Sequence, residues 1–249
     1  MRIPTFRVLE KLDEYLRKND FDSAKRHLLY WLEEAKMIKD NDGIMLVLNE
    51  LIGLSRKVGD GEQAISYAEK ALSLIEELNL ISNVVAGTTY LNSATVYKAF
   101  NEPQKSIELF EKAKTNYEQN LSSKDERLGG LYNNMALTLV DLKEFDKAYE
   151  FYHKAIFVMQ ENEDKQPEQA ITLLNIASAK ESQLGLDFAK KEIDQLLIKA
   201  KELLEQCKER VDGNYAYTCE KCATVFGYYG DLEYQKILES RSRSINERT

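Results

Sequence analysis

Asparagine recurs in this 249-residue chain at a spacing that could do chemistry. Asn92, Asn134 and Asn175 stand 42 and 41 residues apart, each two positions before an alanine (Ala94, Ala136, Ala177). Asn133 and Asn49 sit one position earlier in the same register. A primary amide donates to a carbonyl and accepts from an N–H, so a row of amides can pair with another polypeptide's main chain without reading its side chains. The competing use is internal: the same amides can bond neighbouring helices and hold an array together. Asn is a middling helix former, so its recurrence needs one of these reasons.

Other reactive groups reduce to packing. Cys219 and Cys222 form a CxxC with Cys207 upstream. Structural zinc takes four thiolate or imidazole ligands, and the two histidines, His27 and His153, lie far off in sequence. Cys219 and Cys222 fall on helix-packing positions of repeat six and are expected as buried thiols, and an odd cysteine count points to a reducing compartment. Gly129-Gly130 precedes no Gly-Lys-Ser/Thr, so it is read as a close helix approach and not a phosphate loop. His153 lies between Tyr152 and Lys154 on the exposed side of its helix, beside no nucleophile. No acid, base and nucleophile converge, so no catalytic residue, metal ligand or cofactor is assigned, and the chain is read as a non-enzyme.

The elements that position these residues come as pairs of helices repeating about every 42 residues. The offset matches Tyr90 with Tyr132, Asn92 with Asn134, Ala94 with Ala136 and Phe110 with Tyr152. Leu12, Ile52, Ala94, Ala136, Ala177 and Ala223 mark the first helix of each pair. Ala24, Ala64, Ser106 and Ala148 mark the second, within runs whose apolar residues fall three and four apart. Asn19-Asp20, Gly59-Asp60-Gly61, Asn101-Glu102-Pro103, Gly185 and Gly230-Asp231 separate the helices within pairs, because Gly and Asn tolerate the left-handed conformation and Asp caps the next helix. The fourth turn, Leu142-Lys143-Glu144, is the weakest. Ser123 with Glu126 fits a capping box and Pro167 a first helical turn. The fifth pair carries about one extra turn near QLGLDFAKKE, and Glu239 to Thr249, with Arg241, Arg243 and Arg248, reads as a polar tail.

These positions resemble tetratricopeptide repeat proteins. Repeat four supplies Tyr132, Ala136, Phe145, Ala148, Tyr152 and Ala155; repeat three supplies Tyr90, Ala94, Tyr97, Phe110 and Ala113, departing at Pro103 and Ser106. Repeat one has Trp31 where a small residue is expected. The period exceeds the usual 34 residues and resembles the long-repeat branch, as in kinesin light chains and bacterial peptide receptors. The resemblance implies an all-α, right-handed superhelical solenoid of about six pairs, at 5–38, 44–80, 83–120, 125–162, 167–210 and 214–240, in a single domain. It further implies that the first helices line a concave groove where Asn92, Asn134 and Asn175, flanked by Asn133 and Asn49, hold a peptide backbone. Arg56, Lys98 and Glu181, with Lys57 and Asp141, are the charged groove positions by register, and Tyr217 and Tyr228 are groove-side aromatics. The positions matching the family's carboxylate clamp are Ile171 and Asn175, neither cationic.

The expected function is a protein-interaction scaffold binding a peptide or partner helix. The alternatives are a stand-alone peptide-sensing regulator and a module that self-associates into a homo-oligomer through repeat six. The first repeat begins within the first ten residues, so neither a DNA-binding helix-turn-helix nor a helical effector domain is expected ahead of it as a separate domain. The formal charge of −8 disfavours nucleic acid. No run approaches the roughly 20 apolar residues that span a bilayer, and the N-terminus lacks a signal-peptide core, so a cytoplasmic, membrane-free protein is expected.

Overall fold

A computed structural model describes residues Met1–Glu247, and Arg248 of the sequence-read tail lies outside the described residues. The described residues form twelve helices and no strand. They divide into two compact units, one ending at Ser122 and one beginning at Ser123.

The first unit holds α1 (Thr5–Arg17), α2 (Phe21–Met37), α3 (Asn41–Lys57), α4 (Gly61–Glu77), α5 (Val84–Ala99) and α6 (Pro103–Asn120). Each odd helix packs on the even helix after it, α2 and α4 pack on the next odd helix, and α3 packs on α5. The even helices accordingly bury one stripe, as in Ala64, Tyr67, Ala68, Ala71 and Ile75 of α4. An odd helix held between neighbours buries more of its circumference: α5 buries Ala86, Gly87, Thr89, Tyr90, Ser93, Ala94, Val96 and Tyr97. Gly87 permits that crowding, since a Cβ there would lie 2.4 Å from Asn116 Oδ1 and 2.6 Å from the Tyr117 ring. Ser106, a departure from the small-residue pattern, is buried and donates its hydroxyl to the Ala94 carbonyl at 2.9 Å. Trp31, the other departure, remains half-buried, edge-on to Tyr30 and His27.

The second unit holds α7 (Glu126–Asp141), α8 (Phe145–Gln160), α9 (Gln166–Leu184), α10 (Leu186–Gln206), α11 (Gly213–Tyr228) and α12 (Leu232–Asn246). Here α7, α9 and α11 pack in series, with α8, α10 and α12 as their partners. All six first-helix marker residues and the four second-helix markers are buried across the two units.

Within most pairs one left-handed residue makes the turn: Asn19, Gly59, Asn101, Lys143 and Gly230 all have φ between 53° and 94°. Asp20, Asp60 and Asp231 then accept the backbone N–H of Ser23, Gln63 and Tyr234. The Leu142-Lys143-Glu144 turn makes the same bend without such help, as Lys143 carries φ 63° and Glu144 makes no side-chain cap. The expected Ser123–Glu126 capping box does not form. Asp125 is the cap of α7, accepting from Arg127 N at 3.1 Å, and Glu126 is already helical. Pro167 does lie in the first turn of α9. The extra length of the fifth pair is shared between 19-residue α9 and 21-residue α10, joined by Gly185 alone. The stretch read as a polar tail is mostly helix: α12 continues to Asn246, with Ser242 and Ile245 buried.

Candidate functional site

The recurring asparagines divide into two bonded pairs and one unengaged amide. In the first unit Asn92 Nδ2 donates to Asn49 Oδ1 at 2.8 Å, while Asn49 Nδ2 donates to Thr89 Oγ1 and to the Met45 carbonyl, both at 2.9 Å. Asn49 thereby ties α3 to α5 and has no donor left. In the second unit Asn175 Nδ2 donates to Asn133 Oδ1 at 3.1 Å, tying α7 to α9. Both bonds use the same register: the earlier asparagine of one odd helix accepts from the ladder asparagine of the next. Asn134 differs. It is half-buried, and its side-chain amide has no hydrogen-bond partner among the described residues.

Asn134 lines a cleft of about 400 Å³ along α7, α9 and α11. Asn133, Asn134 and Asn175 supply its amides, Leu137, Ile171 and Val225 its apolar wall, and Tyr217 and Lys221 its far edge. Tyr217 is 56% exposed, with the Lys221 ammonium 5.4 Å from its ring centre. The paired glycines part ways here. A Cβ on Gly129 would meet Met159 of α8 at 3.3 Å, as expected of a close helix approach. A Cβ on Gly130 would meet nothing within 4 Å, and Gly130 opens onto the cleft. Ile171, noted in sequence only as an uncharged clamp position, is part of the wall.

The first unit has a corresponding cleft of about 360 Å³, lined by Thr5, α3 residues from Asp42 to Glu50, Leu80, Asn83, Val85 and Thr88. Glu50 is half-buried and has no hydrogen-bond or ion-pair partner among the described residues. Burial, and secondarily the charge of Asp13, raise its pKa above the usual carboxylate value. Sequence reasoning passed over Glu50, although a lone charge in MLVLNELIGL was a visible signal.

The charged groove positions stand outside both clefts. Arg56 is exposed and Lys98 half-buried, each in the last turn of its helix, where a cation complements the helix dipole. Glu181 accepts from the Tyr228 and Tyr229 hydroxyls at 2.7 and 2.8 Å. Tyr228 is 68% exposed. His153 is exposed and lines a larger cleft, about 710 Å³, along α8, α9 and α10, which the Lys180–Glu192 ion pair and the Tyr149–Gln183 hydrogen bond border. Cys207, Cys219 and Cys222 are all buried in the packing of α9 to α12. Burial pushes the Cys219 thiol up to about 11, which suppresses the reactive thiolate.

Two family models of the tetratricopeptide repeat match the sequence, over residues 43–119 and 130–156. No curated protein matches it. Among solved structures, BtubC (BKLC) from P. vanneervenii is similar at 19% identity and a TM-score of 0.60, over 93% of this chain and 91% of that one. RapI in its apo form is similar at 16% identity and a TM-score of 0.60, over 98% of each chain. A kinesin light chain-type protein with nearly identical TPR-like repeats, from Podosopora anserina, is similar at 16% identity and a TM-score of 0.52, over 81% of this chain and 94% of that one. At these identities the likeness is one of fold.

Proposed function

Because this chain belongs to the tetratricopeptide repeat proteins, we propose that it is a non-catalytic protein-interaction scaffold that binds an extended peptide segment along its odd helices. The observation that carries the reading is Asn134, an amide with open donor and acceptor groups at the edge of an apolar cleft. Such an amide pairs with a peptide N–H and C=O together, while Leu137, Ile171 and Val225 receive one apolar side chain. Asn175 and Asn133 each spend one bond on the other, which fixes their orientation and leaves further donor and acceptor capacity toward the cleft. In the first unit Asn92 likewise spends one N–H, on Asn49 Oδ1, and keeps its other N–H and its own oxygen for a partner. Arg56, Lys98 and Glu181 then act outside the clefts, steering a charged partner at longer range.

A random peptide library displayed against the intact chain, followed by titration of the enriched peptide, tests this. Asn134→Ala removes two hydrogen bonds worth about 0.5–1.5 kcal/mol each and should weaken binding roughly 5- to 150-fold with the thermal midpoint unchanged. Gly130→Leu, whose side chain projects into the cleft, should block the peptide in a folded protein. Failure to enrich any peptide, or equal affinity in wild type and both variants, sinks the reading.

A further inference from the structure

The cleft of the first unit has a chemical preference that its asparagines do not explain. Among the described residues only two ionisable side chains line it, Asp42 and Glu50, and no lysine, arginine or histidine does. Asp42 lies at an exposed edge and is already paired with Arg2 at 2.8 Å. Glu50 faces the cleft without a counter-charge. Around it the walls are apolar: Met45 and Leu46 from α3, Leu80 from the link ahead of α5, and Val85 from α5. Several neighbouring polar groups are already engaged, while the Thr5 hydroxyl and the Asn83 amide N–H groups are neutral donors. Asn83 Oδ1 accepts from Val85 N, Thr88 Oγ1 bonds Tyr117 OH, and the Asn49 donors are both used.

We propose that this cleft receives the side chain of a lysine or arginine carried by the partner, with Glu50 as its counter-charge. The chemistry of the walls selects that class. Lysine and arginine have an apolar stem ending in a cation, so the stem lies along Met45, Leu46, Leu80 and Val85 while the head meets the carboxylate. An anion would meet the like charges of Asp42 and Glu50. A hard divalent metal ion needs six or more oxygen ligands, and apolar side chains cannot supply them. A neutral apolar side chain would bury Glu50 further with nothing in return. The upward displacement of the Glu50 pKa by burial and by Asp13 is the mark of a carboxylate that gains from an arriving cation. The assignment rests on the scaffold reading only in that a polypeptide delivers the cation; the cleft itself is tested without one.

The test titrates the isotope-labelled intact chain with Nα-acetyl-lysine methylamide, Nα-acetyl-arginine methylamide, Nα-acetyl-norleucine methylamide and magnesium chloride, following backbone amide shifts. The basic probes should move the amides of Met45–Glu50 and of Val85–Thr88 saturably, and Glu50→Gln should weaken them roughly tenfold or more while remaining folded. Norleucine and magnesium should leave those amides in place. The proposal is overturned if the basic probes move nothing there, if norleucine or magnesium moves the same amides equally, or if Glu50→Gln titrates like the wild type. Because the probes are single residues, a failure here is separate from a failure of peptide binding at Asn134.

Discussion

A hydroxyl sealed in a core without an acceptor is a cost, and Tyr152 carries one. Its ring is fully buried in α8, and its OH has no hydrogen-bond partner among the described residues. The matching position 42 residues earlier is Phe110, equally buried, so the site accepts a ring without the oxygen. Tyr152→Phe should raise the unfolding free energy by about 1 kcal/mol, read as a higher urea midpoint at constant slope. Glu50 sets a related cost that pH can switch. A free glutamate titrates near 4.3, and in the folded chain Glu50 titrates higher, so ionisation above that window costs folding free energy. Stability is lost as pH rises from the free value through the raised folded one. Glu50→Gln should therefore melt above wild type at pH 7, with the difference vanishing near pH 3; an equal melting temperature at both would contradict the shift. At this scale the sequence was legible in type and not in partnership. The asparagines stood out by spacing, but which of them bond each other depends on a one-position stagger between neighbouring odd helices. That stagger arises from packing, so Asn134 could not be told from Asn92 beforehand.

Helix ends were read well where the residue itself makes the turn and poorly where the backbone imposes it. Asn19, Gly59, Asn101 and Gly230 are residues that enter the left-handed region readily, and all four do so. Lys143 enters it because Leu139 and Ala148 must both be buried on either side of a three-residue link, whatever stands between. Lys143→Gly should relieve a left-handed cost of about 1–2 kcal/mol and give back about 0.4–1 in unfolded-state entropy, for a net gain of roughly 0.5–1 kcal/mol. Gly185 is the opposite case. With φ 83° and ψ 155° it occupies a region open almost only to glycine, and it is the whole connection between α9 and α10. Gly185→Ala should cost about 1–3 kcal/mol, although a Cβ there would touch nothing within 4 Å. Thermal midpoints of the two variants moving in opposite directions would support both assignments. The extra turn of this pair was visible as a lengthened spacing. Its division between two helices was not, because QLGLDFAKKE has helical character on either side of the glycine.

An array of helix pairs is stabilised neighbour by neighbour, so its end is where one tie can govern a whole element. In the second unit that end is α12, whose polar sequence suggested a tail because Arg241 and Arg243 have no apolar periodicity of their own. The structure supplies the missing reason. Arg241 Nη2 grips both oxygens of Glu205 on α10 at 2.8 and 3.1 Å, and Nη1 reaches the Tyr215 hydroxyl on α11 at 3.3 Å. Tyr234 donates to the same Glu205 at 2.8 Å, and Tyr215 donates to the Leu204 carbonyl. Burial opposes the charge on Glu205, yet the bonds from Tyr234 and Arg241 outweigh it and hold the carboxyl below its usual range. One guanidinium thus joins three helices, on an element that also buries Leu238 and Ile245. Charge-assisted bonds are worth about 1.5–3 kcal/mol when well enclosed, and the partial exposure of Glu205 reduces that. Arg241→Met keeps the stem and removes the grip, so α12 should open locally at a cost lowered by about 1–2 kcal/mol, a five- to thirty-fold faster amide exchange. Amides of α7 and α8, two pairs away in the same unit, should exchange as in wild type. If protection fell equally in α7, α8 and α12, the unit would be unfolding as one body and the neighbour-by-neighbour account would be lost. If it fell nowhere, Arg241 would be a surface charge and the packing of Leu238 and Ile245 alone would hold the end of the array.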